Sequence, residues 1–112
     1  MKANRTLGGF ESMLMLALLR LGENAYGVTI RRELLTRANK DVAIGAIYTG
    51  LDRLERRGLV KSWLGEPTSA RGGRSKRFYR ITANGVKALN ETQSSIQGLM
   101  GGLDLAGGNV NA

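Results

Sequence analysis

The 112-residue chain contains no cysteine and no histidine. Without cysteine there is no disulfide, no thiolate nucleophile and no thiolate metal ligand. Without histidine the commonest general base and the commonest metal ligand are both missing. A nucleophile–base pair would have to be built from Lys or Ser, and Glu11, Glu23 and Glu33 read as ordinary charges on helix surfaces. The sequence therefore predicts no catalytic site, no metal and no cofactor. Aromatic residues make up only 5% of the chain and proline occurs once, while aliphatic residues are plentiful. This favours packed helices with a little sheet, a mainly α (α+β) fold.

Long apolar runs are also scarce. The longest, Met13 to Leu19, is far shorter than the roughly 20 residues of a membrane helix. Lys2 and Arg5 precede it as they would in a signal peptide, but Glu11 interrupts its start. Arg20-Leu21-Gly22-Glu23 follows it in place of a small-residue cleavage site. The run is expected to be a buried helix in a cytoplasmic protein with no membrane attachment. At this length one core is expected, with about two-thirds of the unfolded surface buried. Help from a second subunit would be natural for so small a domain.

What the chain does have is basic charge, formally +8. Such an excess favours a polyanion, through attraction to phosphates and release of their counterions. The charge is concentrated. Between residues 53 and 80 lie Arg53, Arg56, Arg57, Lys61, Arg71, Arg74, Lys76, Arg77 and Arg80, opposed only by Glu55 and Glu66. After residue 80 the only charges are Lys87, Glu91 and Asp104.

Periodicity orders the chain. A first helix is predicted over Gly9 to Leu21, stopped by Gly22, with Phe10, Met13, Leu14, Ala17, Leu18 and Leu21 on one face. Met15, Leu16 and Leu19 lie off that face and are apolar too. A helix apolar all round must be covered on both sides, so a subunit interface including Met13 and Leu16 is expected. A second helix fits Tyr26 to Ala38, with Ile30, Leu34 and Ala38 inward. A third runs from about Ala43 to Arg57, with Ile44, Ile47, Leu51 and Leu54 as its inner stripe and Gly58 closing it. Its other face offers Gly45, Ala46, Tyr48, Thr49, Asp52, Arg53 and Arg56.

Beyond Gly58 the period shortens to that of strands, 59–64 and 76–81, joined by a polar loop with Pro67 and Gly72-Gly73. Thr82 is the expected N-cap of a last helix, with Val86, Leu89, Gln93, Ile96, Met100 and Leu103 spaced alternately three and four apart. That stripe suits pairing between subunits, with packing inside one subunit as the alternative. Order should fade from about Gly101, towards a frayed tail at Gly107-Gly108-Asn109. The sum is a winged helix-turn-helix with a two-stranded wing and a C-terminal dimerisation helix. Residues 1–82 would form the DNA-binding unit and 83–112 the dimerisation helix and tail, within one compact domain.

A helix enters the major groove only if its exposed side lets the backbone come close and still offers groups to read. Gly45, Ala46 and Gly50 are small, and Tyr48 and Thr49 can meet phosphates or base edges. Arg53, Arg56 and Arg57 either complement the helix dipole at a solvated end or grip DNA. Tyr48 is equally readable as a half-buried packing residue. In the hairpin loop, Arg71, Arg74, Lys76 and Arg77 surround Gly72 and Gly73. Glycines permit close backbone approach, and arginine suits a narrow minor groove. A solvated loop whose charge only aids solubility is the alternative.

These residues resemble the PadR family of transcriptional regulators. The matching runs are Leu18 to Gly22, Ala25 to Val28, Ile44 to Thr49, Leu51 to Glu55 and Gly58 to Val60. They continue at Gly65 to Thr68, Arg71 to Arg74 and Tyr79 to Thr82, covering about residues 8 to 90. The resemblance implies a homodimeric winged-helix repressor whose third helix and wing bind a palindromic operator in double-stranded DNA. It implies that the first and last helices make the dimer, and that Tyr26-Gly27 lies near the phosphate backbone. The short C-terminal region resembles the family branch without a larger ligand-sensing domain. A small aromatic or hydrophobic effector is also implied, and an interface with Met13, Met15 and leucines would admit one, if those residues are not plain core. Two departures stand out. Ala43 replaces a capping serine or threonine, worth about 1 kcal/mol. Gly50 sits mid-helix, costing roughly 0.5–1 kcal/mol against alanine.

Two other classes of function fit the composition. One is a basic RNA-binding or ribosome-associated protein, for which only Tyr48, Trp63, Phe78 and Tyr79 offer rings near the basic segment. The other is a protein-interaction module acting through the dimer surface.

Overall fold

A computed structural model describes residues 6–66 and 75–106. The elements follow in the order α1 (Gly9–Leu21), a single 3-10 turn (Gly22–Asn24), α2 (Gly27–Ala38) and α3 (Ile44–Arg56). After them come β1 (Val60–Leu64), β2 (Arg77–Ile81) and α4 (Ala83–Met100). The order is the one the periodicity predicts, and the fold is a winged helix with a two-stranded wing and a C-terminal helix.

Local chemistry sets the boundaries. Glu11 accepts a hydrogen bond from the Gly8 N–H at 3.0 Å and so ties off the start of α1. Gly22 ends the helix at φ 59°, a region that favours glycine. Asn39 ends α2 in the left-handed conformation at φ 54°, the sharp corner between α2 and α3. Gly58 turns the chain into β1 at φ 76°. Thr82 caps α4 as expected, its hydroxyl accepting from the Gly85 N–H at 3.0 Å. Ala43 precedes α3 in an extended conformation with no side-chain cap, so the capping bond that the sequence lacks is absent from the structure as well.

α1 is the central element. It touches α2, α3, β2 and α4, and Leu14, Met15, Ala17 and Leu18 are all buried in the protomer's own core. Met15 therefore belongs to that core, against the expectation that it lies off the packed face. The reason is that α1 is covered from more than one side within a single chain. Leu16 and Leu19 remain exposed, and Met13 is half-buried. Gly50 also departs from its expected place on the outer face of α3. It is buried where α3 crosses α1, and a Cβ there would sit 2.7 Å from Leu14 Cδ1 and 3.1 Å from Phe10 Cε2. The helix-propensity cost of Gly50 is offset by this close crossing.

β1 and β2 pair antiparallel with Ser62 opposite Tyr79, Trp63 opposite Phe78 and Leu64 opposite Arg77. Alternation puts Val60, Ser62, Tyr79 and Ile81 towards the helices, and Lys61, Trp63, Phe78 and Arg80 on the outer side. Residues Ala25 and Tyr26 add a third rung along β2, through a Tyr26–Phe78 bridge and the Tyr79 N–H donating to the Ala25 carbonyl at 3.0 Å. This rung fixes the start of α2 against the wing.

α4 is divided along its length. Gly85, Ala88, Leu89 and Thr92 in its first half are buried, and Thr92 Oγ1 accepts from the Leu7 N–H at 3.0 Å. From Ser94 onward the helix is exposed, including Ile96, Leu99 and Met100. Of the stripe predicted for pairing between subunits, Leu89 lies in the protomer's own core, at 4% exposure, because α4 packs against both α1 and β2. Gln93 is half-buried, while Val86, Ile96, Met100 and Leu103 are exposed. The expected tail at Gly107-Gly108-Asn109 lies outside the described residues. Among those residues, no helix is long and apolar enough to cross a membrane.

Candidate nucleic-acid interface

The amphipathic pattern of α3 turns Ile47, Gly50, Leu51 and Leu54 into the core. By the same 3.6-residue period, Gly45, Ala46, Tyr48, Thr49, Asp52, Arg53 and Arg56 are all exposed. A Cβ on Gly45 would meet nothing within 4 Å, so this side of the helix is open at its N-terminal end. Ile44, expected to point inward, is instead at the edge of the core and partly exposed. The Thr49 hydroxyl donates to the Gly45 carbonyl at 3.0 Å, which leaves its methyl and an oxygen lone pair for a partner.

Tyr48 has two roles. It is 40% exposed, and its ring lies 6.4 Å from that of Tyr79 at an interplanar angle of 37°. Its hydroxyl occupies the space beside Gly27 where any other residue would carry a Cβ, which would also sit 2.8 Å from Tyr48 Cζ. The packing and contact readings of Tyr48 are thus compatible. The glycine at the first position of α2 is what lets the ring lie there. Tyr26 precedes α2 as its N-cap residue; its N–H donates to Thr29 Oγ1 at 3.0 Å, and the Thr29 hydroxyl donates in turn to the Asn24 carbonyl at 2.6 Å. Lys76 Nζ stands 4.6 Å from the centre of the Tyr26 ring, and the Phe78 ring meets Tyr26 edge-on at 5.6 Å.

These residues border a cleft of about 500 Å³ between the start of α2, the outer side of α3 and the base of the wing. Tyr26, Gly27, Tyr48, Asp52, Lys76 and Arg77 all line it. Four sequence candidates, Tyr26, Tyr48, Lys76 and Arg77, therefore converge, while Gly45, Ala46, Thr49 and Arg53 lie on the adjoining open face of α3. Arg71, Gly72, Gly73 and Arg74 lie outside the described residues. Tyr79 forms the floor, only 2% exposed. Burial, with the neighbouring Tyr48 adding to it, pushes its phenol up to about 12.

Three contributions were not apparent from the sequence. Arg57 pairs with Glu11 at 3.2 Å, across 46 positions of chain, and so is bound to α1 in place of standing free at the end of α3. Asp52, expected only on the outer face of α3, lines the cleft and brings an acid among its basic groups. Ser62 joins Glu55 of α3 to Arg77 of the wing by hydrogen bonds. A serine in an amphipathic strand carries no signal of its own, so only the tertiary structure reveals this link.

Solved structures share this architecture. A PadR-like transcription factor from Bacteroides fragilis is 27% identical, with a TM-score of 0.66 over 80% of this chain and 82% of that one. A PadR family transcriptional regulator from Eggerthella lenta is also 27% identical, with a TM-score of 0.64 over 81% of this chain and 77% of that one. A transcriptional regulator from Clostridium thermocellum, 19% identical, shares the fold at a TM-score of 0.69, over 90% and 92% of the two chains. No curated protein matches the sequence. The model of the transcriptional regulator PadR-like family, whose members are regulators and not enzymes, matches residues 15–91, from the middle of α1 to the middle of α4. With that match over most of the chain, and with the wing and helix-turn-helix in place, the protein belongs to the PadR-like family of transcriptional regulators.

Proposed function

We propose that the protein is a sequence-specific repressor that binds a palindromic operator in double-stranded DNA as a homodimer. The observation that carries this reading is the convergence of Tyr26, Tyr48, Lys76 and Arg77 on one cleft beside the open face of α3. A duplex lying on that face would place its major groove over Gly45, Ala46, Thr49 and Arg53, and a phosphate strand across the cleft. Arg71, Gly72, Gly73 and Arg74 would extend the contact from the wing tip, and Asp52 would limit indiscriminate attraction to phosphates.

The dimer is supported by apolar surface that the protomer leaves uncovered. Ile96, Leu99 and Met100 are exposed on the projecting half of α4, and Val86 and Leu16 are exposed nearer the core. A groove of about 200 Å³ between α1 and α2 is lined by Met13, Leu16, Ala17 and Leu34. We assign the interface to Met13, Leu16, Val86, Gln93, Ile96 and Met100, with Leu89 supporting it from the core. A small aromatic or hydrophobic effector would bind at this interface, where methionine adapts to varied shapes.

Selection of genomic fragments on the purified protein, followed by titration of the recovered duplex, tests the proposal. Affinity should fall steeply with salt, because several phosphates per subunit are neutralised. Equal affinity for every duplex at physiological salt would exclude sequence-specific control. Transcription from a promoter carrying the recovered site should fall when the protein is present, and a rise would make it an activator. One observation favours an RNA partner instead. Trp63 and Phe78 stack at 6.1 Å on the outer wing, with Arg80 5.5 Å from the Trp63 ring centre. Structured RNA competing as well as the selected duplex would move the assignment to RNA.

A further inference from the structure

Glu55, Ser62 and Arg77 come from α3, β1 and β2 and meet on the inner side of the wing. The Ser62 hydroxyl donates to the Glu55 carboxylate, 2.9 and 3.0 Å from its two oxygens. Ser62 Oγ in turn accepts from Arg77 Nη1 at 3.0 Å. A serine hydroxyl has one proton and two lone pairs, so the direction of this chain is self-consistent. The proton faces the carboxylate and a lone pair faces the guanidinium. Arg77 pairs across the sheet with Leu64, not with Ser62, so its side chain folds back diagonally to make this bond. Among the described residues, Glu55 forms no direct ion pair with Arg77 and reaches it only through the hydroxyl.

An exposed arginine loses much of its rotamer freedom when it grips a fixed partner. Here one Nη is already held by Ser62, and Arg77 lines the cleft together with Tyr48 and Lys76. Part of the ordering cost is met before any ligand arrives. The same chain starts on α3, so the position of the wing cation is tied to the position of the recognition helix.

We infer that Ser62, backed by Glu55, is a positioning residue that pre-sets Arg77 as a fixed phosphate contact and keeps it in step with α3. This rests on the DNA-binding reading above. A surface hydrogen bond that merely stabilised the hairpin would affect folding, and would leave the salt dependence of binding unchanged.

The test uses the full chain and a selected duplex, with binding followed by fluorescence anisotropy over a series of salt concentrations. Ser62→Thr and Ser62→Val are compared because they are nearly isosteric and both suit a strand, and only threonine keeps the hydroxyl. The threonine variant should bind as the unaltered protein does. The valine variant should bind roughly 3- to 10-fold more weakly, the ordering cost that Arg77 then meets on binding, while its thermal midpoint falls only by the few degrees that a lost internal hydrogen bond costs. Its salt slope should be shallower by up to about 0.9, one phosphate contact. Arg77→Ala should show at least as large a loss, and adding Ser62→Val to Arg77→Ala should cost nothing further. Equal binding by the threonine and valine variants, or additive losses in the double variant, would overturn the inference. So would an Arg77→Ala protein that binds normally, and that result leaves the DNA-binding reading intact. Failure of the unaltered protein to bind any duplex would instead remove the reading on which the inference rests.

Discussion

Replacing Gly27 by alanine should weaken DNA binding while leaving the fold almost as stable as before. Gly27 is the first residue of α2, and its backbone conformation is open to any residue. Alanine there would gain roughly 0.5–1 kcal/mol by restricting the unfolded chain. Its Cβ, however, would collide with the Tyr48 hydroxyl, would lie 2.8 Å from Tyr48 Cζ, and would press on Ile44 Cδ1 at 3.1 Å. Tyr48 is partly exposed, so its ring can swing outward at modest cost. What is lost is the contact with Tyr79, worth about 0.5–1.5 kcal/mol. The two terms nearly cancel, and the net change in stability should stay within about 1 kcal/mol.

Binding has no such compensation. A displaced Tyr48 leaves the cleft and projects into the space a DNA strand would occupy, which should cost about 1–3 kcal/mol of affinity. Denaturant unfolding and anisotropy titration of the same preparation separate the two effects. Tyr48→Phe removes the hydroxyl that collides, although the ring carbon remains close. Gly27→Ala should therefore cost less affinity in a Tyr48→Phe background than in the unaltered protein. Normal binding by Gly27→Ala would refute the assignment of Tyr48. So would a loss of several kcal/mol in stability, since the ring would then be shown to have no way out.

Gly85→Ala should behave in the opposite way. Its Cβ would strike the Leu59 carbonyl oxygen and come within 2.6 Å of Ile81 Cγ1, and that carbonyl is held by the Thr82 N–H at 3.0 Å. Backbone cannot yield as a side-chain end can, so a loss of about 2–3 kcal/mol is expected in denaturant unfolding, despite alanine's higher helix propensity. The Tyr79 phenol, raised to about 12, holds its proton more tightly in the folded state than in the unfolded chain. Its contribution is complete below pH 10 and disappears as pH rises from about 10 to about 12, by roughly 2–3 kcal/mol. Stability measured over that range should fall less steeply for Tyr79→Phe, and parallel curves for the two proteins would contradict the assignment. Ser12 has a buried hydroxyl with no hydrogen-bond partner among the described residues. Ser12→Ala should raise stability by about 0.5–1 kcal/mol, and a lower melting temperature would show that the hydroxyl is satisfied after all.

By itself, the sequence determined the order of elements, their boundaries to within a residue or two, and most of the exposed side of α3, Gly50 and Ile44 excepted. These are local properties. Periods of 3.6 and 2 residues, glycine stops after Leu21 and Arg57, and the Thr82 cap are all written in neighbouring positions. The resemblance in the runs from Leu18 to Thr82 added the family. Only the tertiary structure decided which of several apolar or charged residues does what. Met15 and Leu89 are core because α1 is covered from several sides, a matter of how helices cross. In sequence Gly50 reads as a helix-weakening residue and Gly27 only as part of a run near the phosphate backbone. In the structure, one admits α1 and the other seats Tyr48. Arg57 is bound to Glu11 and Arg77 to Ser62 through contacts 46 and 15 positions apart. The basic segment could be read from composition, but the sharing of its charges could not. Charge is a property of residues, whereas pairing depends on distances that only the folded chain sets.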